Sequence, residues 1–133
     1  QLLEQDSCLE LSQLLTSTFN STFSTYLQAT MASYQLDNIN ACKTGSTDVD
    51  NLAVAYNPQV LVASWVGYDD NRKMETADDK TVAKKTVIDV LNYTNENKDV
   101  TWYQPTEDLQ QIAINPLTGD FDENGTVYWF KKD

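Results

Sequence analysis

The sequence predicts an α+β fold, with three antiparallel strands under covering helices and a small strand-rich C-terminal extension. Three observations carry this: apolar residues recur at helical spacing near the start, the period shifts to strand alternation in the middle, and an amphipathic helical stretch follows the strands.

Residues 1–42 contain no basic side chain. Within them Cys8, Leu11, Leu15 and Phe19 recur at helical spacing, and Asp6 or Ser7 is a suitable N-cap, so a helix is expected from Ser7 to Phe19. A second stripe, Phe23, Tyr26, Leu27, Thr30, Met31 and Tyr34, has the same period, but its Ser, Thr and Asn content lowers its helix propensity. Strand character then takes over. Leu52, Val54 and Tyr56 alternate with Ala53, Ala55 and Asn57, and Asn57-Pro58 is turn chemistry. Val60 to Tyr68 is apolar at nearly every position, which predicts a strand covered on both faces. The expected strands are 39–46, 51–57 and 59–68.

A covering helix is expected from Asp78 to Leu91, with Asp78 and Asp79 at its positive end and Ala83, Val87, Val90 and Leu91 on one face. The stretch NYTNENKDV reads as a polar linker. Beyond it, Ile112 to Ile114 and Thr126 to Phe130 read as a pair of short strands joined through the loop NPLTGDFDENG.

Charge and composition exclude several functions. The 133 residues hold nine basic and twenty acidic side chains and no histidine, a formal charge of -11. The scattered cations offer no footprint for nucleic acid or anionic lipid. Without histidine there is no Ser-His-Asp or Cys-His catalysis and no His-ligated metal. Cys8 and Cys42 are too few for a disulfide scaffold and too far apart for a zinc knuckle, and both are expected to be buried as small apolar side chains. No apolar run is long enough to span a bilayer. The chain begins at Gln1 in mid-pattern, and the expectation is a piece of a longer protein with its membrane anchor and targeting information upstream.

Lys43 is the first cation of the chain, on a strand-like segment among small neighbours: Ala41 and Cys42 precede it, and Thr44, Gly45, Ser46 and Thr47 follow. Small residues on a strand permit close approach of another backbone or a ligand, and a lysine followed by hydroxyls can bind a carboxylate. Taken alone, Lys-Thr-Gly is also what an ordinary edge strand beside a turn contains. It is, however, one of three signatures of active-site-serine enzymes that react with β-lactams, the others being Ser-x-x-Lys and Ser-x-Asn.

The order of segments after the triplet narrows the choice. Lys43-Thr44-Gly45-Ser46-Thr47 is followed by Ala55-Tyr56-Asn57-Pro58 and by Trp65-Val66-Gly67-Tyr68-Asp69, then an amphipathic helix. This succession resembles the end of the transpeptidase domain of class A penicillin-binding proteins of the Gram-positive type. The likeness extends to QLLTSTFN before the triplet and INPLTGDFDENG near the end, about four fifths of the chain. Departures are Cys42 where the family usually has Gly or Ala, Leu52 where Trp is common, and Ala55 and Ala63 where Gly is common; Cys42 is the one expected to crowd the cleft beside Lys43.

The resemblance implies binding roles. Lys43 would supply positive potential, Ser46 and Thr47 would hydrogen-bond the carboxylate of a substrate or β-lactam, and Thr44 and Gly45 complete the substrate-binding strand. No basic residue has a Ser three positions upstream and no Ser-x-Asn occurs, so the nucleophile is absent and no catalytic residue is assigned here. The expectation is an incomplete transpeptidase-like domain in residues 1–95 with an extension in 96–133, inactive alone. It would be part of a D,D-transpeptidase that cross-links peptidoglycan at the extracytoplasmic face of the cell membrane. The implied partners are the stem peptide and β-lactams in the whole protein and the remainder of the transpeptidase domain; no cofactor, metal or nucleic acid is expected. Such a half-domain would expose apolar surface that its other half covers. The alternative is a non-catalytic wall-associated binding module.

Asp120 to Gly125 matches the first half of a calcium loop, but its twelfth position is Lys131 rather than Glu, and Asp48-x-Asp50 has Ala53 at its sixth position and Gln59 at its twelfth. Both read as solvated turns.

Overall fold

The computed structural model describes residues 2–23 and 29–132. The chain divides into two compact units, Thr16–Trp102 and the pair of segments Gln1–Leu15 and Tyr103–Asp133.

The larger unit is built on a three-stranded antiparallel sheet of β1 (Ala41–Ser46), β2 (Asp50–Tyr56) and β3 (Leu61–Gly67) in that spatial order. Register pairs Lys43 with Val54 and Gly45 with Leu52 across β1 and β2, then Leu52 with Trp65 and Val54 with Ala63 across β2 and β3. Because strand side chains alternate, this register sorts the sheet into two faces. One carries Cys42, Ala53, Ala55, Val62 and Val66, and α2 (Val82–Asn95) lies over it. The other carries Lys43, Leu52, Val54, Leu61, Ala63 and Trp65.

The core lies on the first face. Cys42, Ala53 and Ala55 meet Ala83, Val87, Ile88 and Leu91 from α2, with Met31 fully buried among them. Alanines on β2 are what let a helix sit this close to the sheet. The second face is open: Leu61 is 65% exposed, Trp65 61% and Leu52 42%. The expectation that β3 is covered on both faces is therefore corrected. Its nearly continuous apolar run serves a core on one side and leaves a bare apolar face on the other.

Helix α2 starts four residues later than expected and includes Asn92–Asn95, assigned to a linker from sequence. Its delayed start has a local cause. Asp79 accepts hydrogen bonds from the Tyr68 hydroxyl (2.9 Å) and the Thr76 amide (3.2 Å), which holds residues 76–81 in a turn before the helix. The buried stripe is Ala83, Val87, Ile88 and Leu91, whereas Val90 is 40% exposed, so the apolar face is rotated toward Ile88. The helix is followed by Asn97 in the left-handed region at φ 59°, a conformation Asn tolerates better than most residues, and the Lys98 amide closes onto the Asn95 carbonyl at 3.0 Å.

The first expected helix is α1 (Gln5–Thr16), and its continuation, Ser17–Phe19, tightens to a 3-10 turn. Its buried positions are Leu9 and Ser12, not the Cys8, Leu11, Leu15 and Phe19 stripe; Leu11 is exposed and Cys8 lies on the surface. The burial expected of Cys8 is thus corrected, while Cys42 is buried. Of the second stripe, Phe23 ends a 3-10 turn (Ser21–Phe23), Tyr26 and Leu27 lie outside the described residues, and residues 30–33 form a turn rather than a helix.

In the smaller unit β4 (Leu109–Ile114) and β5 (Thr126–Lys131) pair antiparallel, with Ile112 opposite Tyr128, as the sequence predicts. Helix α1 contributes a polar stripe to this pair. Asp6 accepts from the Thr106 hydroxyl at 2.7 Å, Glu10 accepts from the Lys131 amide at 2.7 Å, and the Gln13 carboxamide both donates to and accepts from the Trp129 backbone. Spacings of four and three keep Asp6, Glu10 and Gln13 on one helix face. Glu10 and Gln13 satisfy the outer edge of β5, which would otherwise present unpaired N–H and C=O groups, while Asp6 holds the segment before β4.

No helix among the described residues is long and apolar enough to cross a membrane. The described residues form an α+β arrangement of two α-helices, a three-stranded sheet and a two-stranded sheet, compatible with a partial transpeptidase-like domain.

Candidate functional site

The five residues singled out in the sequence occupy β1 and the turn that follows it. Strand β1 is an edge of its sheet, bonded to β2 on one side. Beside it lies a groove of about 300 Å³ lined by Thr44, Gly45, Ser46, Thr47, Lys80 and Lys84, with Thr30, Asn51, Leu52 and Ala83 completing its wall.

The alternation of the strand separates the five residues. Thr44 and Ser46 point toward α2, and the Thr44 hydroxyl donates to the Thr30 hydroxyl at 3.1 Å. Lys43 points the other way, exposed on the open face of the sheet, where its ammonium donates to the Thr44 carbonyl. It does not line the groove. Thr47 is held by the β1–β2 turn: its hydroxyl donates to the Asp50 carboxylate at 2.9 Å and accepts from the amides of Val49 and Asp50 at 3.2 and 3.1 Å. That is the usual work of a hydroxyl that closes a tight hairpin. Gly45 keeps the strand clear, since a Cβ there would meet nothing closer than the Leu52 side chain at 4.0 Å.

Cys42 does not crowd this groove. Its side chain is fully buried in the core under α2, and burial pushes the thiol up to about 11 despite the opposing charges of Lys84 and Lys43. The cations that do line the groove, Lys80 and Lys84, escaped the sequence reading. Their spacing of four was visible, but only the packing of α2 on the sheet brings them beside a strand some forty positions earlier.

The Trp65-Val66-Gly67-Tyr68-Asp69 segment has local structural roles. A Cβ on Gly67 would lie 2.6 Å from the Trp65 ring, so the indole folds along its own strand across the glycine. Tyr68 bonds Asp79, and the Arg72 guanidinium stacks on its ring at 3.9 Å. The hydrogen bond to Asp79 raises the Tyr68 hydroxyl above its ordinary range, and the same bond with those from Thr76 lowers the Asp79 carboxyl. Together they tie the end of β3 to the turn before α2.

No family model matches the chain. Relatives do. The chain is 24% identical over 121 residues to penicillin-binding protein 2D of Bacillus subtilis (strain 168), covering 90% of this chain and 18% of that protein. It is 28% identical over 99 residues to penicillin-binding protein 1A of Rickettsia prowazekii (strain Madrid E), 72% of this chain and 13% of the relative. The Rickettsia typhi (strain ATCC VR-144 / Wilmington) protein of the same name is 27% identical over 99 residues, with the same coverage. The chain thus spans less than a fifth of the length of these curated relatives, and over most of its own length it is similar to penicillin-binding proteins.

Proposed function

We propose that this chain is the C-terminal portion of a D,D-transpeptidase of the class A penicillin-binding type, working in peptidoglycan cross-linking at the extracytoplasmic face of the membrane. Residues 1–95 belong to the transpeptidase domain, and residues 96–133 form an extension, of which Tyr103–Asp133 shares a compact unit with Gln1–Leu15. Lys43, Thr44, Gly45, Ser46 and Thr47 form the substrate-binding strand. The nucleophilic serine that attacks the stem peptide or a β-lactam belongs to the remainder of the domain, so the isolated chain neither acylates nor hydrolyses.

The observation that carries this reading is the position of the Lys-Thr-Gly segment on an edge strand beside an open groove, in a chain similar to penicillin-binding proteins over 90% of its length. The bare sheet face supports it. Leu52, Leu61 and Trp65 make an apolar surface that the remainder of a domain would cover, with Lys43 at its margin.

Two measurements test the proposal. Incubation with a fluorescent penicillin followed by mass spectrometry gives no covalent adduct on this chain; a labelled chain overturns the assignment of the nucleophile elsewhere. Sequencing the gene upstream of the codon for Gln1 reveals Ser-x-x-Lys and then Ser-x-Asn. An upstream region without them overturns the transpeptidase reading.

A further inference from the structure

Close packing forces a glycine at the head of β5. Residues 122–125 form a turn with Asp at its first position and Gly at its fourth, a favoured arrangement. A Cβ on Gly125 would lie 2.2 Å from the Ile114 carbonyl oxygen, so a side chain there requires the backbone to move. The residue before it is Asn124, which is exposed. This is the only Asn-Gly pair in the sequence, and every other asparagine precedes a residue that carries a side chain. With nothing on Gly125 to shield it, its backbone nitrogen can approach the Asn124 carboxamide carbon, the geometry in which asparagine is chemically labile.

The folded turn restrains that chemistry. The Gly125 N–H donates to the Asp122 carbonyl at 2.8 Å, and the Asn124 N–H donates to the Asp122 carboxylate at 3.0 Å. The Gly125 nitrogen must release its proton to act as a nucleophile, and a proton held in a hydrogen bond is harder to remove. Reaction therefore waits for the turn to open, a local event that does not require the whole chain to unfold.

We propose that Asn124 is a self-modification site gated by this turn, and that its product unlocks the β4–β5 pair. When the turn opens, the Gly125 nitrogen bonds to the Asn124 side-chain carbonyl carbon, and the carboxamide nitrogen leaves as ammonia with the proton that Gly125 gave up. Water then opens the resulting succinimide to aspartate or isoaspartate. The balance is one water consumed and one ammonia released, with no change of oxidation state. Either product adds a carboxylate to a segment that already holds Asp120, Asp122 and Glu123. The isoaspartate form also carries the main chain through the former side chain, which inserts one carbon between residues 124 and 125. Gly125 has no room to absorb it against Ile114, whose register partner is Thr126 at the start of β5. The change is one-way, and it is independent of the transpeptidase reading.

The test is incubation of the chain in mildly alkaline buffer, folded and in urea. Mass spectrometry of the proteolytic peptide containing residue 124 follows the change of amide to acid, and an isoaspartate-specific methyltransferase counts the rearranged product. Asn124 is expected to convert before any other asparagine, and about tenfold or more faster in urea than in the folded chain. Asn124→Gln, whose longer side chain would have to close a six-membered ring, stays unconverted at this position. The isoaspartate form, separated by chromatography, exchanges its β5 amides about tenfold or more faster than the parent. Asn124→Asp, which has the added charge without the added carbon, stays within about threefold of the parent. Equal conversion rates in the folded chain and in urea overturn the gating. Earlier conversion at another asparagine, or none at Asn124 in the folded chain, overturns the site. Unchanged β5 exchange in the isoaspartate form, or equal acceleration in Asn124→Asp, overturns the unlocking by the inserted carbon.

Discussion

Replacing Gln13 by Ala tests how the smaller unit satisfies the outer edge of β5. The Gln13 carboxamide donates to the Trp129 carbonyl at 2.5 Å and accepts from the Trp129 amide at 2.8 Å, acting as a one-residue substitute for a neighbouring strand. A net hydrogen bond is worth about 1 kcal/mol, so losing two from a half-buried site costs about 2 kcal/mol, or more where water cannot reach the stranded groups. Hydrogen exchange read at the Trp129 amide reports this directly, because the two units need not unfold together. A loss of about 2 kcal/mol speeds exchange from the protected state roughly thirtyfold. Gln13→Glu separates the two bonds: the carboxylate still accepts from the Trp129 N–H but repels its carbonyl, and the expected acceleration lies between wild type and Gln13→Ala. Unchanged exchange at Trp129 in Gln13→Ala refutes the reasoning, since the side chain would then lie beside the strand without supporting it.

Further outcomes follow from other contacts. Gly125→Ala is expected to destabilise the β4–β5 pair by about 2 kcal/mol or more, because its Cβ would press on the backbone carbonyl of Ile114; thermal unfolding followed at the aromatic residues of β5 measures it. Tyr68→Phe is expected to return the Asp79 titration toward its ordinary value of 3.8, read from the carboxyl carbon by NMR. The sign is fixed by linkage. The depressed Asp79 contributes stability present above the unfolded value and lost as pH falls through the folded one, while the raised Tyr68 contributes stability present below 10.0 and lost as pH rises through its folded value. An unmoved Asp79 midpoint in the variant refutes the bond. A maleimide reagent at neutral pH is expected to label the exposed Cys8 at once and the buried Cys42, with its thiol pushed up to about 11, only after unfolding; mass spectrometry of native and urea-treated chains counts the adducts.

Local pattern was sufficient for the strands, the turns and the order of elements. The period-two alternation of Leu52 to Tyr56, the Asn57-Pro58 break and the strand pair around Ile112 and Tyr128 depend on neighbours close in sequence, and all are found where they were read. The segment Lys43 to Thr47 was legible as a unit for the same reason, being one short strand and its turn. Faces were not legible. An apolar run such as Val60 to Tyr68 reads alike whether it meets a helix on one side or on both, and only the register with β2 and the placement of α2 separate its buried positions from the exposed Leu61 and Trp65. The direction of a side chain follows the pleat, so Lys43 and Thr44, adjacent in the chain, face opposite sides of the sheet. Gln13 reaching Trp129, and Lys84 reaching Thr30, join residues 116 and 54 positions apart. Such meetings follow from the packing of α1 along β5 and of α2 across the larger sheet, a long-range outcome of burial that no local spacing encodes.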